Sequence, residues 1–353
     1  MKYLITGITG FAGPHLANLL IENGHQVYGL VRSSNGREND IRDIIPDGNF
    51  SKIKFVYGDL GDRRSLEKIF KENKFDGVFH LAAQSHPPTS FKDPEGTMQI
   101  NATGSKYLLG AMMDTQPDCR FMMCSTSEVY GNVPAKAGKI DESFPIAPVN
   151  PYGVSKASAD LYTRERALTL QKPYFVTRAF SHTGPRRGHM FSISSDAIQI
   201  SRIMMGLQEP IIRVGNLDSR RAVMDVRDCV NAYYKLMISA KPGESYNVGA
   251  DNLYSMGEIL DMMLDLRGLK GKVEKRIDEK LWRPIDIHVQ KPDSSKTKKL
   301  TGWKTSIPLK QTLSDLLDYW DKKIGSEKIP SSLALKVTKK ISAKKNIEGR
   351  KKK

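Results

Sequence analysis

Cysteine is scarce in this chain of 353 residues: there are three, Cys119, Cys124 and Cys229. So few, in odd number and without metal-ligand spacing, they build neither a disulfide framework nor a metal site, and they suit a reducing cytoplasm. Long apolar runs are absent too. No stretch reaches the roughly 20 residues of a membrane span, so stable insertion into a bilayer is not expected. Met1-Lys2-Tyr3 enters directly into an apolar strand pattern, so no signal peptide is expected. No internal repeat or low-complexity region precedes the C-terminal tail. The formal charge of +16 suggests a nucleic-acid partner until its position is considered. Residues 322–353 carry twelve Lys/Arg against two Glu, a net +10, which leaves +6 for the rest. The excess therefore belongs to a basic tail, expected to be solvated and disordered, and nucleic acid is not the expected partner.

What the chain has is a regular alternation of strand and helix patterns. Tyr3-Leu4-Ile5 reads as a buried strand. It is followed by Gly7, Gly10 and Gly13 and then by a helical pattern from Pro14. Three glycines at G-x-x-G-x-x-G, between a strand and a helix, allow a tight turn, close approach of the backbone to a pyrophosphate, and close packing of helix on strand. A dinucleotide site follows. At the end of the second strand, Gln26–Val31, an NAD site usually offers an acid to the ribose. Here the chain gives Arg32-Ser33-Ser34, with no acid before Glu38, so NADP is the favoured cofactor.

A second concentration of chemistry lies at Ser125-Thr126-Ser127-Glu128 and Tyr152-x-x-x-Lys156. The first follows the apolar run Phe121–Cys124, placing hydroxyls and a carboxylate at a strand's C-terminal end, where open α/β sheets bind ligands. The second opens a helical pattern, so Tyr152 and Lys156 share a face. An ammonium beside a phenol favours the phenolate and makes the tyrosine a usable base.

These alternations predict an α/β fold, a doubly wound parallel sheet of the Rossmann kind with a smaller, discontinuous α/β substrate domain. The expected boundaries are 1–180 and 217–249 for the dinucleotide domain, 181–216 and 250–321 for the substrate domain, and 322–353 for the tail. A third strand is expected to end in Asp59-Leu60, with Asp59 as a possible cap for the following helix. A fourth, Gly77–Ala83, leads to Gln84-Ser85-His86.

Taken in order, the motifs resemble the extended short-chain dehydrogenase/reductase family of nucleotide-sugar enzymes. Within it, Leu81-Ala82-Ala83-Gln84-Ser85-His86, Ser125-Thr126-Ser127-Glu128, Gly184-Pro185-Arg186-Arg187-Gly188 and Gly215-Asn216-Leu217-Asp218 are most similar to the GDP-mannose 4,6-dehydratases. The resemblance implies catalytic Thr126, Glu128, Tyr152 and Lys156. Cofactor contacts are implied for Gly7, Thr9, Gly10, Phe11, Gly13, Arg32, Ser33, Asp59, Leu60, Leu81 and Ala82, together with Tyr152 and Lys156. Substrate contacts are implied for Ser85, His86, Ser127, Arg187, Arg220 and Arg283, and Asn101 is expected to support the active-site helix. Asp286 is open between a sugar contact and a cap or surface acid. Asp293-Ser294-Ser295-Lys296 and Trp303 read as packing elements.

The implied substrate is a nucleotide sugar, with a GDP-sugar favoured, and the implied assembly a homodimer or homotetramer. The implied reaction is 4,6-dehydration, with Tyr152 taking the O4 proton, Thr126 bonding O4, and Glu128 taking H5. A 4-epimerase or 4-keto reductase needs the hydroxyl, the phenol and the amine but has no use for Glu128. A non-catalytic NADP-binding scaffold would leave the Tyr/Lys pair idle. Ser181, where many relatives have asparagine, and His86-Pro87-Pro88 leave the sugar open to a modified hexose or heptose.

Overall fold

The computed structural model describes residues 1–32 and 36–326. Ser33, expected at the cofactor phosphate, and residues 327–353 of the expected tail lie outside the described residues. Six strands, β1 (Lys2–Thr6), β2 (Gln26–Val31), β3 (Ile53–Tyr57), β4 (Gly77–His80), β5 (Arg120–Thr126) and β6 (Tyr174–Ala179), join the strand Ser245–Val248 in one sheet. Its order is β3-β2-β1-β4-β5-β6 and then Ser245–Val248, every neighbour parallel.

Side chains alternate across such a sheet, and both faces are covered here. Tyr3, Ile5, Phe79, Met122 and Phe175 enter one apolar cluster, and Leu4, Val78, Phe121, Met123 and Tyr174 enter the other. The chain crosses the middle of the sheet between β1 and β4, so the ends of these strands flank the cleft where such sheets bind ligands.

The helices that matter to the site are α1 (Ala12–Glu22), α2 (Asp47–Phe50), α3 (Arg63–Glu72), α4 (Pro87–Lys92), α5 (Pro94–Met98), α6 (Gly104–Met113) and α7 (Pro151–Leu170). Between α5 and α6 the chain makes a π-helical turn, Gln99–Thr103. α7 is fixed to β6 by a buried, two-pronged ion pair: Arg178 Nε and Nη2 donate to the Asp160 carboxylate at 2.9 and 3.1 Å. Arg178 Nη1 also donates to the Tyr130 hydroxyl at 3.1 Å, tying in the single 3-10 turn Ser127–Tyr130 that follows β5.

The chain divides into two compact units, one of Met1–His182, Ser219–Tyr254 and Arg283–Pro308, the other of Thr183–Asp218, Ser255–Trp282 and Leu309–Lys353. The expected boundaries therefore need correction at residues 283–308. That segment belongs with the sheet because the strand Val289–Gln290 pairs with Arg220–Arg221, and Lys296 Nζ donates to the Ser245 carbonyl at 2.8 Å. Trp303, 2% exposed, donates from Nε1 to the Asp228 carbonyl at 2.8 Å. Asp293 accepts from Ser295 N at 2.8 Å in the turn that leads into the helix Ser295–Thr301.

The second unit, taken by itself, packs helices Ser192–Met204, Met256–Leu266 and Leu309–Gly325 with a parallel strand pair, Ile211–Val214 and Glu274–Ile277. The last helix includes Lys322 and Lys323, so the expected disordered tail begins later than residue 322. Among the described residues no helix is long and apolar enough to cross a membrane, and no cluster of His, Cys, Asp or Glu could hold a metal ion.

Candidate active site

The dinucleotide cradle is built by backbone. β1 ends at Thr6, and Gly7 turns the chain at φ +72°. A Cβ at Gly7 would lie 2.8 Å from Ala82 N, so only glycine lets this turn sit on the end of β4. Gly10 N donates to the Gly7 carbonyl at 2.9 Å, and a Cβ on Gly13 would meet that same carbonyl at 2.4 Å. α1 then begins at Ala12, with its N-terminal amides at the loop. Phe11 stacks on His182, ring centroids 5.7 Å apart. Leu81 and Ala82 are half-buried beside the turn, and Thr9 is partly exposed.

Arg32, expected at the cofactor phosphate, is exposed after β2. Leu60 is buried, whereas Asp59 is exposed and accepts from Gly61 N at 2.7 Å. The expected cap role of Asp59 is corrected: Asp62 caps α3, accepting from Arg64 N at 3.0 Å, because β3 stops at Tyr57 and leaves Asp59 in the loop.

At the other end of the cleft, Asn150 starts α7. Its Oδ1 accepts from Gly153 N at 2.7 Å, and Pro151 occupies the first turn, where its missing N–H costs nothing. Tyr152 N donates to Ser90 Oγ at 3.0 Å. Tyr152 and Lys156, one turn apart, are 9% and 2% exposed. Lys156 makes no hydrogen bond or ion pair among the described residues, and burial lowers its pKa from the usual lysine range. A buried ammonium without an acceptor suits a ligand that brings hydroxyl oxygens, as the ribose of a dinucleotide does.

Thr126 ends β5 and is 8% exposed, its Oγ1 accepting from Glu128 N at 3.3 Å. Glu128 follows in the turn, its side chain 13% exposed. Glu128 Oε2 accepts from Asn150 Nδ2 at 2.7 Å, and Oε1 lies 3.6 Å from Arg283 Nη1. Ser127 donates to Gln290 Oε1 at 3.2 Å. Hydroxyl, acid, phenol and amine thus stand at the C-terminal end of β5 and the first turns of α7.

Arg221 lies in the electrostatic neighbourhood of Glu128 and Arg283. Its guanidinium lies 3.6 Å from Asp286, and burial lowers its pKa, with Asp286 and Glu128 opposing. Asp286 is no helix cap; it accepts from Ser219 Oγ at 2.6 Å. Arg220 is half-buried, its carbonyl taken by Arg221 Nη1 at 2.9 Å. Arg187 belongs to the second unit, its guanidinium carbon 3.5 Å from the Phe191 ring centroid. Ser85 is exposed, and His86 Nδ1 lies 2.8 Å from Thr89 Oγ1 at the start of α4. The sequence reading did not assign Asn150, Arg221 or Gln290 to the site. Asn150 had a signal as an N-cap before Pro151, and Arg221 had one as part of the Arg220-Arg221 pair.

The chain resembles known proteins over most of its length. The sequence model described as GDP-mannose 4,6 dehydratase matches residues 4–316. GDP-mannose 4,6 dehydratase 1 of Arabidopsis thaliana is 32% identical over 327 residues, covering 89% of this chain and 88% of the relative. GDP-6-deoxy-D-mannose reductase of Pseudomonas aeruginosa is 30% identical, covering 92% and 99%. The solved structure of RMD from Pseudomonas aeruginosa, complexed with NADPH, is similar with a TM-score of 0.77 and 29% identity, over 91% of this chain and 99% of that one. With its glycine cradle, its Tyr152/Lys156 helix and a match running almost from end to end, the chain belongs to the GDP-mannose 4,6 dehydratase family.

Proposed function

We propose that this chain is an NADP-dependent 4,6-dehydratase, a hydro-lyase that converts GDP-mannose, or a related GDP-hexose or GDP-heptose, to the 4-keto-6-deoxy sugar. The observation that carries the reading is Glu128, a largely buried carboxylate two residues beyond Thr126, held by Asn150. The cradle around Gly7 and Gly13, exposed Arg32 and unpaired Lys156 fit NADP, the cofactor whose reduced form is bound in the Pseudomonas structure.

A nicotinamide dinucleotide held by the Gly7–Gly13 turn and Lys156 would supply reversible hydride chemistry between C4 and C6 of the hexose. Lys156 holds the cofactor ribose and favours the Tyr152 phenolate. Thr126 hydrogen-bonds O4 while Tyr152 takes its proton. The ketone so formed acidifies C5, and Glu128 takes that proton. Of the two protons removed, one leaves with the C6 hydroxyl as water and one returns to C5, so the side chains end as they began. Arg221 and Arg283 suit the diphosphate, which guanidinium forks match.

The Pseudomonas reductase relative supports a second reading, a 4-keto reductase, which needs Thr126, Tyr152 and Lys156 but no acid at 128. Mass spectrometry separates them. Purified protein offered GDP-mannose, GDP-manno-heptose, UDP-N-acetylglucosamine and CDP-glucose is expected to remove one water from a GDP-sugar. Glu128→Gln is expected to oxidise C4 but dehydrate about 100-fold or more slowly, the usual scale for loss of a general base. Dehydration at the wild-type rate in that variant would overturn the role of Glu128. Reduction of a 4-keto sugar without loss of water would select the reductase.

A further inference from the structure

A continuous run of buried hydrogen bonds leads from the glycine cradle to the first turn of α7. Ala82 N donates to Thr6 Oγ1 at 3.1 Å, and Thr6 Oγ1 lies 2.7 Å from His80 Nδ1. His80 Nε2 lies 2.7 Å from Ser105 Oγ, which donates to the Asn101 carbonyl at 2.5 Å. The Asn101 side chain, in the π-helical turn, accepts from Gln84 N at 2.8 Å and donates at 2.9 Å to both the Gln84 carbonyl and Ser155 Oγ. Ser155 Oγ closes the run by donating to the Tyr152 carbonyl at 2.8 Å.

The donors and acceptors permit one assignment. Ser105 spends its proton on Asn101, so it must accept from His80, and the ring carries its hydrogen on Nε2. Nδ1 is then an acceptor, so Thr6 donates to it while accepting from Ala82. Every link has a fixed direction, and a second proton on the imidazole would reverse Thr6. His80, Thr6 and Asn101 are all 0% exposed, and Ser155 likewise. Burial, with Lys156 adding to it, pushes the His80 pKa down to about 3, consistent with a permanently neutral ring.

We infer that His80 is a positioning residue for the reaction: a directional bridge that holds the cofactor turn at Gly7 and the Tyr152/Lys156 helix in register for hydride transfer. The inference deepens the proposed function and rests on it for the sugar chemistry, but not for cofactor binding. A glutamine at 80 can present an acceptor and a donor at nearly the spacing of Nδ1 and Nε2, whereas leucine fills space and supplies neither.

The experiment compares His80→Gln, His80→Leu, Ser105→Ala and Ser155→Ala with wild type in full-length protein. The readouts are thermal midpoint, NADP+ affinity, GDP-mannose KM, and the single-turnover rate at which nicotinamide absorbance appears on mixing with GDP-mannose. His80→Leu is expected to slow that rate about tenfold or more and weaken NADP+ about tenfold, with KM changed less than threefold. His80→Gln is expected to stay within threefold of wild type in all of them. Should His80→Leu not fold, Ser105→Ala and Ser155→Ala carry the test, each expected to slow the rate about threefold or more at unchanged KM. Equal losses in the leucine and glutamine variants, or serine variants with wild-type rates, would overturn the inference. If wild type is inert on every sugar offered, the NADP+ affinities still decide it: a leucine variant binding as tightly as wild type overturns the bridge.

Discussion

The side-chain amide of Asn150 is divided between two duties: Oδ1 caps α7 through Gly153 N, and Nδ2 holds Glu128 Oε2, each at 2.7 Å. One residue thus fixes both the start of the helix carrying Tyr152 and Lys156 and the direction of the Glu128 carboxylate.

The two duties can be separated. Asn150→Ala should cost about 1 kcal/mol of stability, the usual value of an N-cap, and also release Glu128. Asn150→Ser restores the cap but not the amide. The serine variant is expected to regain its thermal midpoint while dehydrating about tenfold or more slowly, since misplacement of a reacting group by an ångström carries penalties of that order or larger. C4 oxidation should be less affected. A serine variant that removes water at full rate would show that Glu128 needs no clamp.

Arg32 offers the only described charge at the end of β2 before residue 36. Arg32→Ala should weaken NADP+ binding about 10-fold or more, on the scale of one charge-assisted hydrogen bond, and leave NAD+ nearly unchanged. Titration calorimetry with both nucleotides checks this; equal losses for the two would remove Arg32 from the phosphate site.

Holding Lys156 charged would cost the cofactor-free fold stability. Its pKa is lowered by burial, so between that value and the ordinary lysine range the unfolded chain binds a proton that the folded chain has given up. In that window stability rises with pH; below it the penalty is constant and complete. Lys156→Met should therefore raise the thermal midpoint at pH 7, with the gain shrinking toward pH 10, while activity is lost. Denaturation at pH 7 and pH 10 checks the sign, and a destabilised variant at pH 7 would refute it.

His80 sets an acid limit. With a folded pKa of about 3 against an ordinary value of roughly 6.5, the unfolded chain takes up a proton between these values and the folded chain does not. Stability is unaffected above pH 6.5 and falls as the pH drops through the window, by up to about 1.4 kcal/mol per pH unit. His80→Gln lacks that slope. The difference between wild type and variant in urea unfolding should move by about 2 kcal/mol or more from pH 6.5 to 4.5. An unchanging difference would mean that the ring gains a proton in the fold.

Much of this was legible in order along the chain. The glycine spacing at 7, 10 and 13 is dictated by backbone approach within a few residues, and Gln26–Val31 and Tyr174–Ala179 are strands as their apolar runs predict. Tyr152 and Lys156 share a helical face because both lie in α7. Each of these is a local consequence of composition and period.

Residues far apart in sequence were decided only by the tertiary structure. Segment 283–308 reads as the tail of the second domain but joins the first, because its strand finds an edge at Arg220–Arg221 and Trp303 finds its place beside Asp228. The approach of Arg221 to Asp286 joins residues 65 positions apart, and Asp62 displaced Asp59 as a cap because β3 ended sooner than its apolar run suggested. The sequence by itself determined that a glycine turn, a Tyr152/Lys156 pair on one helical face and a carboxylate at 128 would be present. That Asn150 holds the Glu128 carboxylate, and that His80 is linked to both Thr6 and Ser105, depends on hydrogen bonds closed between β1, β4, the turn after β5, the π-helical turn, α6 and α7, which no periodicity along the chain encodes.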